Sequence, residues 1–424
     1  MLDNALNPLV ASMGHAADDK ALSNIRVLDL SRILAGPWCT QNLADLGAEV
    51  IKIERPGAGD DTRAWGPPWL PGQDDSHSPD SSYYSAANRG KKSVTVDITT
   101  AEGQDIIKRL ARSSDVFIEN FKVGNLKKYG LDYESIRKEN PAIIYCSITG
   151  FGQSGPYAHR PGYDFVFQGM GGMMSITGER DDLPGGGPQK VGIALADIIT
   201  GMYSTIAILA AINHRSKSGQ GQNIDMSLLD CIVALGSNQV TGYFAGGKVP
   251  GRMGNAHMSL VPYGVYPTAD GHIIIAIGND EQWQRYCAVI GRADLAADPD
   301  FTRVTGRIVN RERLDVELRQ TMQTKDSATW LEALEEHNVP CGPINNYEQV
   351  FQNEQVIHRN LRVDLEREDG ARIAMAASPL RLADTPPSYD LPPPLIGQHT
   401  DEVLGDLLDM DPAALEALRA AGVI

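Results

Sequence analysis

Short runs of β-branched residues alternate with helix-forming stretches through the N-terminal third of the chain. This alternation restricts the fold more than any other feature. Ile25–Leu30 (IRVLDL) predicts a strand. Gly36-Pro37 then opens a helix, with proline at the first helical position and Gly47 as its stop. Glu49–Glu54 (EVIKIE) is a second strand and Ser93–Asp97 (SVTVD) a third. Ala101–Ser113 has the spacing of an amphipathic helix, and Val116–Ile118 and Ile143–Ile148 are further short strands. Apolar strands alternating with helices predict βαβ units around a parallel sheet, hence an α/β fold.

At 424 residues the chain is long enough for about two to three domains and a large core. Residues 1–22 read as a flexible N-terminal extension without the basic and apolar regions of a secretory signal. Residues 23–227 read as the N-terminal part of the large domain. Within it, Pro56–Ser82, rich in Gly, Pro, Asp and Ser, is expected to be a functional loop or lid. Ile193–His214 predicts a long helix, apolar nearly all round and therefore buried. The longest purely apolar run, Ile206–Ile212, is too short to span a membrane. A smaller domain is placed at 228–340. It contains the hairpin Val265–Ile277, turning at Thr268-Ala269-Asp270-Gly271, and polar helical stretches near Gln282–Ile290 and Ser327–His337. Residues 341–424 hold Pro386–Pro394 and a short helix begun by Thr400, whose hydroxyl is positioned to cap it.

Net charge is −16, which argues against a general nucleic-acid binder. An anionic ligand therefore needs a local basic patch. The five cysteines are odd in number and scattered, and form no metal-like cluster with the nine histidines. Reduced cytoplasmic thiols and no metal site are expected. GxGxxG fails at Gly169-Met170-Gly171-Gly172, where Met174 replaces the third glycine, and no Walker A, HExxH or GxSxG motif is present.

Three features remain. One is a set of cations near predicted strand ends: Arg32, Arg55, Arg89, Lys91, Lys92, Lys122, Lys127 and Lys128. As a set they suit phosphate binding, while any single member more simply belongs to a solvated face. The second is Asp197, an acid inside the apolar run Ala194–Gly201. It either caps a helix or is kept for chemistry, and a helix N-terminus would favour its ionised form. The third is the glycine-rich stretch from Gly162-Tyr163-Asp164 through Gln168 to Met173. Its glycines either aim backbone N–H groups at an oxyanion or let helices pack. Met170, Met173 and Met174 read as core filler.

Together these features resemble the class III CoA-transferases, the group of formyl-CoA:oxalate transferase, carnitine CoA-transferases and α-methylacyl-CoA racemase. The resemblance is carried by VLDLSRILAGPWCTQNLADLGAEVIKIERPGAGDDTR (27–63), NRGKKSVTVD (88–97), DVFIENFKVG (115–124), GYDFVFQGMGGMMSITG (162–178) and ALADIITGMYS (194–204). VPYGVYPTADG (261–271), VPCGPINN (339–346) and PPPLIGQHTDEVL (392–404) look most like the branch that moves CoA from succinyl-CoA to another dicarboxylate, the glutarate type.

The resemblance implies a Rossmann-like large domain built from both chain ends, so that 341–424 is a linker and a return to it. It also implies a smaller α+β domain on long linkers and an interlocked homodimer. The implied nucleophile is Asp197, working through anhydride and aspartyl-CoA thioester intermediates with no tightly bound cofactor. CoA contacts are expected from Arg55, Lys128 and the Asn120-Phe121 backbone, with Arg89, Lys92 and Lys122 from the cation set. Asp164 matches an acid that supports the catalytic loop and Trp65 an active-site-loop tryptophan, with Gln168 in the same glycine-rich segment. The racemase branch has histidine where this chain has Tyr163, and a phenol is a poor base at neutral pH, which disfavours an acyl-CoA racemase. The formyl transferase has glutamine where this chain has Leu34, which weakens an oxalate assignment. Arg32 is read either as a clamp for the distal carboxylate of an acceptor or as a CoA contact or surface ion pair. His257 is a further candidate for substrate contact, with a structural histidine as the alternative. A catalytically silent partner subunit would be expected to lack Asp197.

Overall fold

A computed structural model describes residues 20–72 and 77–424. Most of the proposed extension, residues 1–19, and part of the proposed lid, residues 73–76, lie outside the described residues. The chain forms two compact units. One comprises residues 20–171, 192–237 and 359–424, the other 172–191 and 238–358.

The first unit is built on six parallel strands: β1 (Arg26–Asp29), β2 (Glu49–Glu54), β3 (Lys91–Thr95), β4 (Val116–Glu119), β5 (Ile144–Thr149) and β6 (Asn223–Ser227). Their order across the sheet is β3-β2-β1-β4-β5-β6. The expected α/β class and parallel sheet are therefore present. The strand order reverses direction at β1 and β4, and in such sheets ligands bind beyond the carboxyl ends of the strands at that switch. Strands β1, β4 and β5 are almost wholly buried, which explains their unbroken apolar runs.

Helix α1 (Ala35–Asp45) follows β1 and starts at Ala35, not at Pro37. Gly47 adopts φ 101° just beyond it, a left-handed stop that a side chain would resist. The amphipathic helix α2 (Ala101–Arg112) is capped by the Thr100 hydroxyl, which accepts from Gly103 N–H. It buries Ile106, Ile107 and Leu110 in a core with Phe117, Tyr145 and Leu404.

Helices α3 (Asp164–Met170) and α4 (Leu195–Ser218) carry Asp164 and Asp197. Gly201 lets α4 lie on α1, since a Cβ there would meet Ala35 O at 2.6 Å and the Trp38 side chain at 3.1 Å. Helix α4 is long and apolar enough to cross a membrane by length and composition alone. It is not buried all round, as its apolarity had suggested. Only the Ala196–Thr200–Ser204–Ile208–Ala211 face is buried, while Met202 and Ile206 are 47% and 59% exposed. Apolar composition records what a helix is able to bury, not how many sides are covered. Helix α5 (Leu228–Leu235) follows β6 and packs Ile232 against Gly171, where a Cβ would approach to 2.2 Å. The glycine-rich stretch therefore serves helix packing at this point. Met170 is 44% exposed and neither Met173 nor Met174 is fully buried, so these side chains are not core filler.

The C-terminal helix Thr400–Leu408 forms, but Thr400 does not cap it. Its hydroxyl accepts instead from Thr95 N–H at 3.0 Å, tying the helix to β3.

The second unit is α+β. Strands β7 (Tyr263–Pro267), β8 (His272–Ala276) and β9 (Cys341–Pro343) form an antiparallel sheet with β8 central, so the expected hairpin is present. Helices cover it through Trp283, Tyr286, Leu314, Leu318 and Trp330.

Candidate functional site

The turn after β1 works without the missing glycines. Asp29, at the end of β1, accepts from Ser31 N–H at 2.9 Å and Ser31 Oγ at 2.5 Å, and its other oxygen accepts from Thr40 Oγ1 at 2.6 Å. Burial pushes this carboxyl up, but the Lys91 and Lys52 ammonium groups and the hydroxyls outweigh it and hold it below its ordinary value. Ile33 then takes φ 71°, a left-handed conformation that is costly for a β-branched residue. Its N–H donates to both oxygens of Asp60 at 3.3 Å. Asp60 is buried and also accepts from Lys52 Nζ at 2.9 Å and from Thr62 N–H at 3.0 Å, capping the turn Asp61–Ala64. One buried carboxylate thus joins the end of β2, the β1–α1 turn and the loop that leads to Trp65. Charge rather than glycine sets the shape of this edge.

Around it lies a cavity of about 410 Å3 at the carboxyl ends of β1, β4 and β5. Leu34, Ala35, Trp65, Tyr163 and Asp197 line it, together with the cations Arg32, Lys122 and Arg160 and with His159. Asp197 stands in the first turn of α4. It does not cap the helix. That role falls to Asp164, whose Oδ1 accepts from Ala196 N–H at 2.6 Å and Asp197 N–H at 3.4 Å. Gln168 Nε2 donates to the other Asp164 oxygen at 2.7 Å and to Ile193 O at 3.2 Å, so Gln168 orients Asp164. Burial, then the neighbouring Asp164 charge, push the Asp197 carboxyl up to about 7. The helix dipole had suggested a readily ionised group; burial and a like charge outweigh it. Near neutral pH this residue therefore titrates. Its conjugate base is a stronger nucleophile than an ordinary carboxylate. The N-terminus of α1 carries no side-chain cap, and Leu34 and Ala35 there line the same cavity. Its N–H groups are suited to an oxyanion.

A second cavity, of about 350 Å3, lies over the ends of β1, β2 and β3 and takes in Arg55, Lys128, Phe121 and Asn125. Arg32, Asp61 and Phe121 line both cavities. Asn120 grips the Arg32 backbone reciprocally. Its Oδ1 accepts from Arg32 N–H at 3.0 Å and its Nδ2 donates to Arg32 O at 2.7 Å. Glu119, buried at the end of β4, accepts from Phe121 N–H at 2.8 Å, and burial pushes its carboxyl up to about 7.

Of the expected contacts, Arg32, Leu34, Trp65, Asn120, Phe121, Lys122 and Tyr163 meet Asp197 at the first cavity, and Arg55 and Lys128 lie in the second. Of the expected CoA contacts, two line neither cavity. Arg89 is buried in a bidentate pair with Asp45, at 2.7 and 2.8 Å, and donates to Ala376 O at 2.9 Å. Lys92 pairs with Glu49 at 3.1 Å and Glu402 at 2.8 Å. Neighbouring residues in a strand point to opposite faces, so a run of cations cannot serve one site. Its neighbour Lys91 is buried against Asp29 and pushed down to about 7 by that burial. His257 belongs to the second unit, where its Nδ1 accepts from Ser259 N–H at 3.0 Å and its ring lies 5.0 Å from Tyr263. Arg32 is an ion pair, its Nη1 2.6 Å from Asp61.

Sequence reasoning missed four residues. Asp60 and Asp61 fall within Pro56–Ser82, the segment read as a functional loop or lid, in which neither stands out by pattern. Arg160 stands just before the glycine-rich stretch, in His159-Arg160-Pro161. Tyr83 lies near the carboxylates: burial, then Asp197, Asp164 and Asp60, push its phenol up to about 12. Its ring meets Trp65 edge-on at 5.2 Å. Among the described residues no group of three or more His, Cys, Asp and Glu side chains is arranged to hold a metal ion.

A family model described as CoA-transferase family III matches residues 22–400. The chain is 50% identical over 391 residues to a protein of Agrobacterium fabrum named succinate–glutarate CoA-transferase, covering 91% of this chain and 95% of that one. It is 42% identical over 405 residues to the human succinyl-CoA:glutarate CoA-transferase, covering 96% and 90%. The crystal structure of a CAIB/BAIF family protein from Brucella suis superposes with a TM-score of 0.82 at 44% identity, over 92% of this chain and all of that one, 100%.

Proposed function

The chain belongs to CoA-transferase family III, and we propose that it moves coenzyme A from succinyl-CoA to a free dicarboxylate of the glutarate kind, with Asp197 as nucleophile. One observation carries the reading. A carboxylate raised to about 7 stands in the wall of a cavity that also holds three cations and an uncapped helix N-terminus. The activities for which the relatives are named support the substrates.

In the proposed sequence the ionised Asp197 attacks the succinyl thioester carbonyl. The C–S bond breaks, its electron pair leaves on the CoA sulfur, and a mixed anhydride forms. The thiolate attacks the aspartyl carbonyl of that anhydride, releasing succinate and leaving an aspartyl-CoA thioester. The acceptor carboxylate then attacks this thioester, giving a second anhydride and thiolate. Thiolate attack on the acceptor carbonyl yields the new acyl-CoA and regenerates Asp197. Each step breaks one acyl bond as it forms another, so that covalent catalysis splits one hard exchange into easier steps. In this reading the uncapped α1 N-terminus, whose residues Leu34 and Ala35 line the cavity, stabilises the oxyanions. The CoA nucleotide is assigned to the second cavity, at Arg55 and Lys128, with the acyl end reaching Asp197 past Phe121.

The same reading includes a homodimer of interlocked chains, with large and small domains joined by linkers. Exposed Tyr243, Phe244 and Val249, at 44%, 77% and 73%, support a second copy that covers them.

The test is one incubation in heavy water with succinyl-CoA, a 2-methylacyl-CoA and a panel of mono- and dicarboxylates, followed by mass spectrometry of the CoA pool. A new dicarboxylyl-CoA without α-deuterium is expected. Deuterium in the branched thioester, with no new acyl-CoA, would overturn the reading in favour of an isomerase.

A further inference from the structure

The cations of the three cavities are not equivalent. Arg32 lines both the Asp197 cavity and the proposed nucleotide cavity, and it is already neutralised by Asp61 at 2.6 Å. Lys122 lines the Asp197 cavity and a third cavity, of about 290 Å3, shared with Lys127 and Glu119. Arg160 lines the Asp197 cavity alone. Among the described residues its guanidinium has no carboxylate partner. It lies over two aromatic rings instead, 4.6 Å from the Tyr157 centroid and 5.5 Å from that of Phe151. Such stacking orients the guanidinium plane while leaving its N–H fork available. Phe151 is itself anchored edge-on against the buried Phe167 of α3 at 5.0 Å, which ties this support to the helix that begins with Asp164.

A succinyl or glutaryl group brings a second carboxylate into this cavity. A chain of net charge −16 repels it unless a fixed cation meets it. A planar fork matches a carboxylate bidentately, whereas a cation already paired has to release its own partner first. We propose that Arg160 is the specificity residue that binds the distal carboxylate of the acyl group, on the succinyl donor and on the dicarboxylate acceptor alike. The inference rests on the CoA-transferase reading above and goes beyond it by assigning the acyl subsite.

The experiment compares wild type, Arg160→Leu and Arg160→Lys. It reads kcat/KM for succinyl-CoA as donor, the same for butyryl-CoA (or its inhibition constant where turnover is slow), and the Kd of free CoA by calorimetry. In Arg160→Leu, succinyl-CoA is expected to fall about 10- to 100-fold further than butyryl-CoA, with free CoA binding within about twofold of wild type. Lysine, keeping the charge without the fork, should restore part of the loss. Equal losses for both thioesters, or weaker binding of free CoA, would make Arg160 a CoA contact and overturn the assignment. No selective loss at all would overturn it too. Wild-type protein that forms no new acyl-CoA from any donor would instead sink the transferase reading itself.

Discussion

The Asp164 carboxylate caps the helix whose first turn presents Asp197, accepting from the N–H groups of Ala196 at 2.6 Å and Asp197 at 3.4 Å, and its charge adds to burial in raising the Asp197 pKa. One side chain thus fixes the position of the other and tunes it. Position and reactivity are coupled through a residue 33 positions away in the chain.

Asp197→Asn is expected to abolish transfer by removing the nucleophile, at least a thousandfold in kcat by rough order of magnitude. The folded pKa of Asp197, about 7, lies above its ordinary value of 3.8. Its ionisation therefore penalises the native state increasingly as pH rises through that window. The variant should be more stable than wild type at pH 8, by about 1–3 kcal/mol, and no more stable at pH 4. Denaturant melts at the two pH values check this, together with activity.

Transfer should rise with pH through the Asp197 ionisation near 7. Asp164→Asn keeps a side-chain oxygen to cap α4 but removes the neighbouring charge. The rising limb of the kcat/KM profile should move to lower pH by about half to one unit. A limb that stays in place would mean that Asp164 acts by position alone.

Lys52→Met leaves Asp60 buried without its cation. The expected destabilisation is about 3–5 kcal/mol, because an uncompensated buried charge remains. Pairing it with Asp60→Asn should recover part of that stability. It should not recover activity, since the charge that holds Ile33 in its left-handed conformation is gone. A double variant with full activity would show that the clamp is dispensable.

Gly201→Ala places a Cβ 2.6 Å from Ala35 O and forces α4 away from α1. Overpacking of this kind costs about 1–3 kcal/mol, more than the gain in helix propensity of about 1 kcal/mol. Thermal melts should show the loss. kcat should fall more than donor KM rises, because the displaced element carries Asp197.

Acid should unfold the first unit through its buried carboxylates. Burial raises Asp29, Asp60 and Glu54, but their lysine, arginine and hydroxyl partners outweigh it and hold all three below their ordinary values. Their stabilisation is complete above the ordinary carboxylate range, about pH 4, and is lost as pH falls through the lower folded values. Circular dichroism between pH 5 and pH 2 checks it.

Strand and helix positions in the first unit were legible because burial on both faces of a parallel sheet leaves unbroken apolar runs such as Val116–Ile118 and Ile143–Ile148. Asp197 was legible as an acid in an apolar run. Thr400 was misread because a hydroxyl beside a helix start can serve either its own helix or a neighbouring strand, and only packing against Thr95 decides. Arg89 and Lys92 were misread because linear proximity to a basic run carries no information about which face each side chain takes.

The sequence by itself determined the βαβ alternation, the parallel α/β class, the candidate nucleophile and the family segments, since these depend on local period and residue type. Only the tertiary structure decided that Asp164 caps α4, that Asp60 clamps Ile33, that Asp61 neutralises Arg32 and that Arg160 enters the cavity of Asp197. Each of these joins groups from different strand ends or helix starts. The carboxyl edge of the sheet gathers them, and their charges then act on one another across a partly dry space where such interactions are strong.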